Sequence, residues 1–345
     1  MTKRTINMLS SADKVKGQGV GSAYIEQVAL CKKNLTDQFI IKENEFEIAN
    51  ITHYHTVDLR HYLTIPFIKN KSVSVGYVHF LPETLDNSIK LPYIAKIVLY
   101  KYIISFYKNM DYLVTVNPYF IKRLESYGVN PDKVSYIPNY VSKKNFFIQK
   151  QDQINNTKQQ YGLSPDDFIV LCVGQLQTRK GFFDFMEVAK NMPEIQFIWA
   201  GGFSFKQISD GYEQIKKAIE NPPNNVKFLG IVERSEMNSI YNMCDIMFLA
   251  SYEELFPMTI LESSNCHKPI LLRDIDLYKN ILDGHYAKGN TVSEFCDQIT
   301  KLKNDPQYYQ EFSKLAKQVS EYYCEENVAK LWKEYYTKID NKDNN

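Results

Sequence analysis

The chain has 345 residues, of which 44% are apolar and 23% charged, with only 14 Gly and 13 Pro. That composition excludes disordered and fibrous classes, and the length suits two cores of ordinary size better than one. Net charge is +1, but residues 1–150 hold 20 Lys+Arg against 12 Asp+Glu and the remainder 21 against 28. The first half could therefore face something anionic, although uneven sharing by chance explains the asymmetry equally well.

In chain order, strands are predicted at Thr5–Leu9, Gln38–Ile41, Ile51–His53, Ser72–Val78, Tyr112–Val116 and Val134–Ile137. Helices are predicted between them at Ser22–Lys32, Asp58–Thr64, Pro92–Lys108 and Pro118–Tyr127. Residues 142–165 are polar and irregular, with a short helix before Gly162. A second series follows, with strands at Phe168–Val173, Gln196–Ala200, Val226–Leu229, Ile246–Leu249 and Ile270–Leu272. Its helices are predicted near Gly181–Lys190, Tyr212–Glu220, Ser235–Met243, Thr259–Cys266 and Thr291–Asn304, and Glu325–Ile339 forms a last amphipathic helix. Alternating strands and helices mean parallel sheets. The expected architecture is α/β, with domains at 1–150 and 151–324 and a crossing helix and tail at 325–345. Two doubly wound domains would place a ligand cleft at the carboxyl ends of their strands.

The six cysteines are scattered, with no C-x-x-C and no Cys/His cluster, so neither a disulfide framework nor a zinc site is expected. The N-terminal stretch is too short in apolar residues for a signal peptide, and no run approaches the roughly 20 residues of a membrane span. A cytoplasmic chain, soluble or peripheral, is the expectation.

The strongest motif is Ser251-Tyr-Glu-Glu-Leu-Phe-Pro-Met-Thr-Ile-Leu-Glu262. It follows a strand and runs into a helix, placing Glu254 on the loop and Glu262 inside the helix. Phe256, Pro257, Met258 and Thr259 lie at the helix N-terminus, whose N–H groups suit an anion or a hydroxyl. Carboxylates are good acceptors for paired sugar hydroxyls. Two glutamates so placed are also compatible with an acidic cap and one exposed helical residue. The second motif is Val170-Leu-Cys-Val-Gly-Gln-Leu-Gln-Thr-Arg-Lys-Gly181. Gly174 and Gly181 let the backbone approach a diphosphate, and Arg179 and Lys180 can neutralise it; a surface loop with two ordinary cations is the plain alternative.

On these two segments the chain resembles the retaining family-4 glycosyltransferases of GT-B fold, with their E-x7-E signature and their G-R-loop-K-G segment. The resemblance implies Glu254 beside the donor sugar, Glu262 on the ribose hydroxyls, and Lys180 and Arg179 on the diphosphate. Gln175 stands where the family carries Arg, and Arg179 could supply that charge. Gly202, in Ala200-Gly-Gly, and Ile231, closing Val226-Lys-Phe-Leu-Gly-Ile, resemble the turn and loop that frame the base. In the first domain Gly17-Gln-Gly-Val-Gly21 resembles the family's glycine-rich loop, which implies Gly19 and Gly21 beneath the donor phosphates and near the acceptor; a plain helix-capping turn is the alternative. His79, in Tyr77-Val-His-Phe-Leu-Pro-Glu83, matches a histidine facing the donor sugar. His53 and His55, ending another strand, read as structural. No metal is implied and no Asp-x-Asp metal site is expected; the reaction needs positioning and stabilisation of departing charge.

Leu91–Lys108, LPYIAKIVLYKYIISFYK, carries Lys96, Lys101 and Lys108 among Ile, Tyr and Phe. Such a helix suits an anionic bilayer surface, and equally a partly buried core helix with snorkelling lysines. The wording of the motifs resembles bacterial enzymes that add a second hexose to monoglycosyl-diacylglycerol. That implies UDP-glucose or UDP-galactose as donor, a glycolipid acceptor, no nucleic acid, and a peripheral site on the inner face of the cell membrane. Capsule or wall polysaccharide synthesis, and a catalytically silent partner subunit, are the competing readings.

Overall fold

The computed structural model describes residues 3–12, 19–82, 84, 92–203 and 211–342. These fall into two compact units, one taking the chain to Tyr140 together with Tyr323 onward, the other Val141–Tyr322.

The first unit is built on β1 (Arg4–Leu9), β2 (Phe39–Glu43), β3 (Ile51–Tyr54), β4 (Val73–Val78), β5 (Tyr112–Thr115) and β6 (Val134–Tyr136). They form one parallel sheet in the order β2-β1-β3-β4-β5-β6. β3 and β4 are buried along their whole length, although Thr52, His53, Ser74 and Gly76 interrupt their β-branched and aromatic residues. The longer helices are α1 (Gly19–Asn34), α2 (Tyr93–Lys108) and α3 (Tyr119–Ser126). The helix expected at Asp58–Thr64 is instead two single turns, Leu59–Tyr62 and Ile65–Ile68, the second starting where Pro66 can sit at a helix start.

In the second unit α4 (Gln151–Gln160) precedes β7 (Ile169–Val173), α5 (Phe182–Asn191), β8 (Gln196–Ala200), α6 (Tyr212–Glu220) and β9 (Val226–Gly230). Then come α7 (Arg234–Met243), β10 (Ile246–Leu249), α8 (Met258–Asn265), β11 (Ile270–Arg273), α9 (Asp276–Leu282), β12 (Ala287–Gly289), α10 (Val292–Asn304) and α11 (Pro306–Tyr322). The parallel order is β12-β11-β10-β7-β8-β9. The strand sequence reverses direction between β7 and β10, so the loops leaving these neighbours open at the topological switch point, where doubly wound sheets bind ligands. β12, α9 and α11 have no counterpart in the predicted elements. β12 is a three-residue edge strand, too short for periodicity, whereas α11 had a local signal: Asp305 accepts from Gln307 N at 3.0 Å and Tyr308 N at 3.1 Å beside Pro306.

The unit boundary falls at Tyr140/Val141, ten residues before the expected one. The reason is backbone bonding: Phe147 N donates to Asn238 Oδ1 at 2.9 Å and Gln149 N to Asn242 Oδ1 at 2.8 Å, tying this stretch to α7. The last helix, α12 (Glu325–Lys342), returns to the first unit. Glu325 pairs with Lys33, Asp340 with Arg4 at 2.6 Å, and Tyr336 OH lies 2.7 Å from His53 Nδ1.

Candidate active site

The loop after β7 runs Gly174–Gln177, then one 3-10 turn over Thr178–Lys180, before α5 begins. Gly181 joins them at φ +73°, and a Cβ there would sit 2.3 Å from Ala250 O, so the loops after β7 and β10 touch at this residue. Gly174 is held by its backbone: its N–H donates to Ala200 O at 3.0 Å and its carbonyl accepts from Trp199 Nε1 at 2.9 Å. Gly201 (φ +142°) crosses so close that a Cβ would lie 1.9 Å from that carbonyl. Three loops are thereby pinned together by backbone approach. Leu176 N donates to Gly202 O at 3.1 Å, and Gly202 in turn abuts Ile231, which is 49% exposed.

This convergence brings Lys180 and Glu254 together. Lys180 Nζ lies 2.5 Å from Glu254 Oε1, with side chains 15% and 6% exposed. Burial lowers the Lys180 pKa from the ordinary lysine value, the attraction of Glu254 opposing that shift. Arg179 holds the β10 loop from the other side: its carbonyl accepts from Tyr252 N at 2.8 Å and its Nη1 donates to Glu253 O at 3.3 Å. Arg179 Nε is buried with no hydrogen-bond partner among the described residues. Gln175 is half-buried on the same loop. Nearby Gln177 (1% exposed), Ser251 and Tyr278 carry buried polar atoms that also lack partners among the described residues. Burial, then the Glu254 carboxylate, pushes the Tyr278 phenol well up. None of these three was singled out in the sequence, where an isolated Gln, Ser or Tyr carries no signal.

Glu262 is 5% exposed, in α8, and both its oxygens are engaged: Oε1 by Arg234 Nη1 at 2.8 Å and Oε2 by Tyr241 OH at 2.6 Å. Phe256 and Met258 are buried beside it, Pro257 and Thr259 half-buried. Pro257 precedes α8 without a side-chain cap; Ile260 N donates to the Pro257 carbonyl at 3.2 Å, and the first N–H groups ahead of it lie before any i−4 acceptor of the helix. Arg234 and Tyr241 were missed in the sequence; their spacing on α7 is ordinary helical spacing, and only the packing of α7 on α8 turns them toward Glu262.

In the first unit, His79 follows β4 and His55 follows β3, the adjacent strand. Tyr77 stacks between them, 4.2 Å from His79 and 5.2 Å from His55 by ring centroids, and His53 lies 4.3 Å from His55. Burial holds all three imidazoles below the usual histidine range, His53 and His79 at about 3. His79 Nε2 and both ring nitrogens of His55 have no hydrogen-bond partner among the described residues. Gly19 and Gly21 lie in the first turn of α1, not in a loop before it; Gly19 is exposed and Gly21 buried, while Gly17 lies outside the described residues.

α2 buries Ile103, Phe106 and Tyr107 and turns outward Tyr93 (77% exposed), Ile94 (76%) and Val98 (62%). Lys101 and Lys108 are exposed; Lys96 is half-buried, 5.5 Å over the Tyr100 ring. The helix carries no acidic residue, and Tyr100, Lys101, Ile104 and Lys108 line a groove of about 510 Å³ with Tyr127. No helix of the described residues is long and apolar enough to cross a membrane.

The sequence does hold one Asp-x-Asp spacing, at Asp274-Ile275-Asp276, which the motif reading overlooked. Asp274 takes Lys288 at 3.2 Å and Asp276 takes Lys279 at 2.7 Å. Among the described residues no group of three His, Cys, Asp or Glu is placed to hold a metal ion.

Residues 153–319 match the family model described as "Glycosyl transferases group 1". The chain is 44% identical over 336 residues to an alpha-galactosylglucosyldiacylglycerol synthase of Streptococcus pneumoniae, covering 97% of this chain and 90% of that one. It is 25% identical to a processive diacylglycerol alpha-glucosyltransferase of Acholeplasma laidlawii, over 85% and 86% of the two chains. Among solved structures, Anabaena HepE in complex with UDP-glucose superposes with a TM-score of 0.78 at 13% identity, covering 97% of this chain and 100% of that one, which shows a shared fold. On that identity and coverage, with the E-x7-E loop at the switch point of its second sheet, the chain belongs to the group 1 glycosyltransferases and is a hexosyltransferase of GT-B fold.

Proposed function

We propose that the enzyme transfers a hexose from a UDP-sugar to α-monoglucosyl-diacylglycerol, with retention of the α configuration, while attached peripherally to the inner face of the cell membrane. The donor half of the reading rests chiefly on one observation, the Lys180–Glu254 pair at the carboxyl ends of β7 and β10. Donor binding exchanges these partners: Lys180, with Arg179, turns to the diphosphate, and Glu254 accepts hydroxyls of the sugar. Gly174, Gln175, Gly202 and Ile231 border the nucleotide, and Glu262 takes the ribose. Phe256 to Thr259 offer the uncapped N-terminus of α8 to the donor. In the first unit the family resemblance assigns His79, held as a neutral imidazole by its lowered pKa, to the donor sugar, and Gly19 and Gly21 to its phosphates.

The leaving diphosphate takes up the acceptor's proton on the face from which it departs, and its charge is met by Lys180 and Arg179 rather than by a metal. The acceptor half rests on the 44% identity to a synthase whose name describes galactose on glucosyl-diacylglycerol, which makes UDP-galactose the first donor to offer and UDP-glucose the second. The uninterrupted basic, apolar outer face of α2, with Lys96, Lys101 and Lys108, supports docking on an anionic bilayer. The test offers each donor separately with anionic vesicles containing α-glucosyl-diacylglycerol. A diglycosyl lipid from one donor supports the proposal. Release of UDP without a lipid product moves the acceptor to a polysaccharide precursor, and absence of UDP binding refutes the donor half.

A further inference from the structure

Glu262 belongs to α8, yet both of its oxygens are held by side chains of α7. Tyr241 is fully buried and approaches Oε2 from within the unit. Arg234, its side chain 30% exposed, approaches Oε1 from the rim. Phe146, itself fully buried, braces both: the Arg234 guanidinium lies 5.1 Å from its ring centroid, and the Tyr241 ring meets it edge-on at 5.7 Å. One donor on each oxygen fixes the carboxylate plane and leaves each oxygen with further lone-pair capacity. A pair of acceptors held in one plane matches a vicinal cis-diol, which offers one O–H to each.

We propose that Arg234 and Tyr241 are positioning residues that hold Glu262 as a fixed double acceptor for the ribose cis-diol, and so set discrimination between ribonucleotide and 2′-deoxyribonucleotide donors. The proposal rests on the reading that Glu262 takes the ribose. A deoxy nucleotide leaves one oxygen of a desolvated carboxylate without its second donor, and sites built around a hydroxyl reject analogues lacking it. Without Tyr241 OH the carboxylate can rotate and either analogue meets it with one hydrogen bond.

The experiment is calorimetric titration of the full chain with UDP and with 2′-deoxy-UDP, for the wild type, Glu262→Gln, Tyr241→Phe, Arg234→Gln and Arg234→Lys, alongside donor kinetics. Phe keeps the buried ring of Tyr241, so that variant folds, and its melting temperature is recorded. The wild type should prefer UDP by about 30-fold. Tyr241→Phe should lose about 10-fold in UDP affinity and less than about threefold in 2′-deoxy-UDP affinity, collapsing the preference, with the kinetic loss in KM for donor rather than in kcat. Arg234→Gln should act in the same direction and Arg234→Lys restore part of it. If Glu262→Gln abolishes the preference while Tyr241→Phe and Arg234→Gln keep it, the two residues merely staple α7 to α8 and the proposal is wrong. If Glu262→Gln itself leaves UDP affinity and preference unchanged, the ribose reading of Glu262 has failed and the proposal with it.

Discussion

Replacing Lys180 by Met keeps the aliphatic stem and removes the ammonium group. Glu254 is then left 6% exposed without the cation 2.5 Å away. Breaking a buried pair from one side costs about 3–5 kcal/mol. Lys180 is itself 15% exposed and Arg179 is the adjoining residue, so a cost discounted below that range, about 2–3 kcal/mol, applies here. For a unit of this size each kcal/mol moves the melting temperature by about 2–4 °C, giving a fall of roughly 4–12 °C in the transition of the second unit. On the proposed role of Lys180, turnover should drop by about 10²–10³, the loss expected for one preorganised charge on a departing group. Scanning calorimetry with Lys180→Met, Glu254→Gln and the double variant separates the two effects. The double variant should regain most of the melting temperature, since no buried charge is stranded, while remaining as slow as the single one. A Lys180→Met transition within about 1 °C of wild type, or strictly additive losses in the double variant, would refute the pairing argument.

The buried histidines make stability pH-dependent. Their folded pKa values lie below the unfolded value near 6.5, so the stabilisation is complete above about pH 6.5 and is lost as the pH falls toward about 3. Each such group should contribute about 1.4 kcal/mol per pH unit within that window, and urea melts at pH 7.5 and 5.5 should show a shallower dependence in His53→Asn. Gly201→Ala places a methyl 1.9 Å from the Gly174 carbonyl in a backbone conformation side chains avoid, and should cost more than about 3 kcal/mol, read as loss of soluble protein or a sharply lower melting temperature. Lys101→Glu with Lys108→Glu should weaken sedimentation with anionic vesicles by about tenfold or more while leaving UDP affinity at the wild-type value; unchanged sedimentation would remove α2 from the bilayer contact.

Most strands were legible from their β-branched and aromatic residues, and β7 and β10 are the continuous apolar runs that a parallel sheet covered on both faces demands. The loops after β7 and β10 were legible for a related reason. Gly181 and Gly201 sit where a loop must approach another backbone, and the E-x7-E spacing carries one glutamate from loop into helix. The single turns at Leu59–Tyr62 and Ile65–Ile68, the edge strand β12 and the domain boundary at Tyr140 were not legible. They depend on distant partners, such as Asn238 and Asn242 for Phe147 and Gln149.

The sequence by itself determined the α/β class, the two strand–helix series and the loops that carry Lys180, Glu254 and Glu262, because periodicity and backbone freedom are local properties. Only the tertiary structure decided that β7 and β10 are neighbours, that Lys180 and Glu254 share one site across 74 residues of chain, and that Arg234 and Tyr241 grip Glu262. Strand order and helix packing bring distant residues together to bury surface and pair charge, and no local pattern encodes which residues they will be.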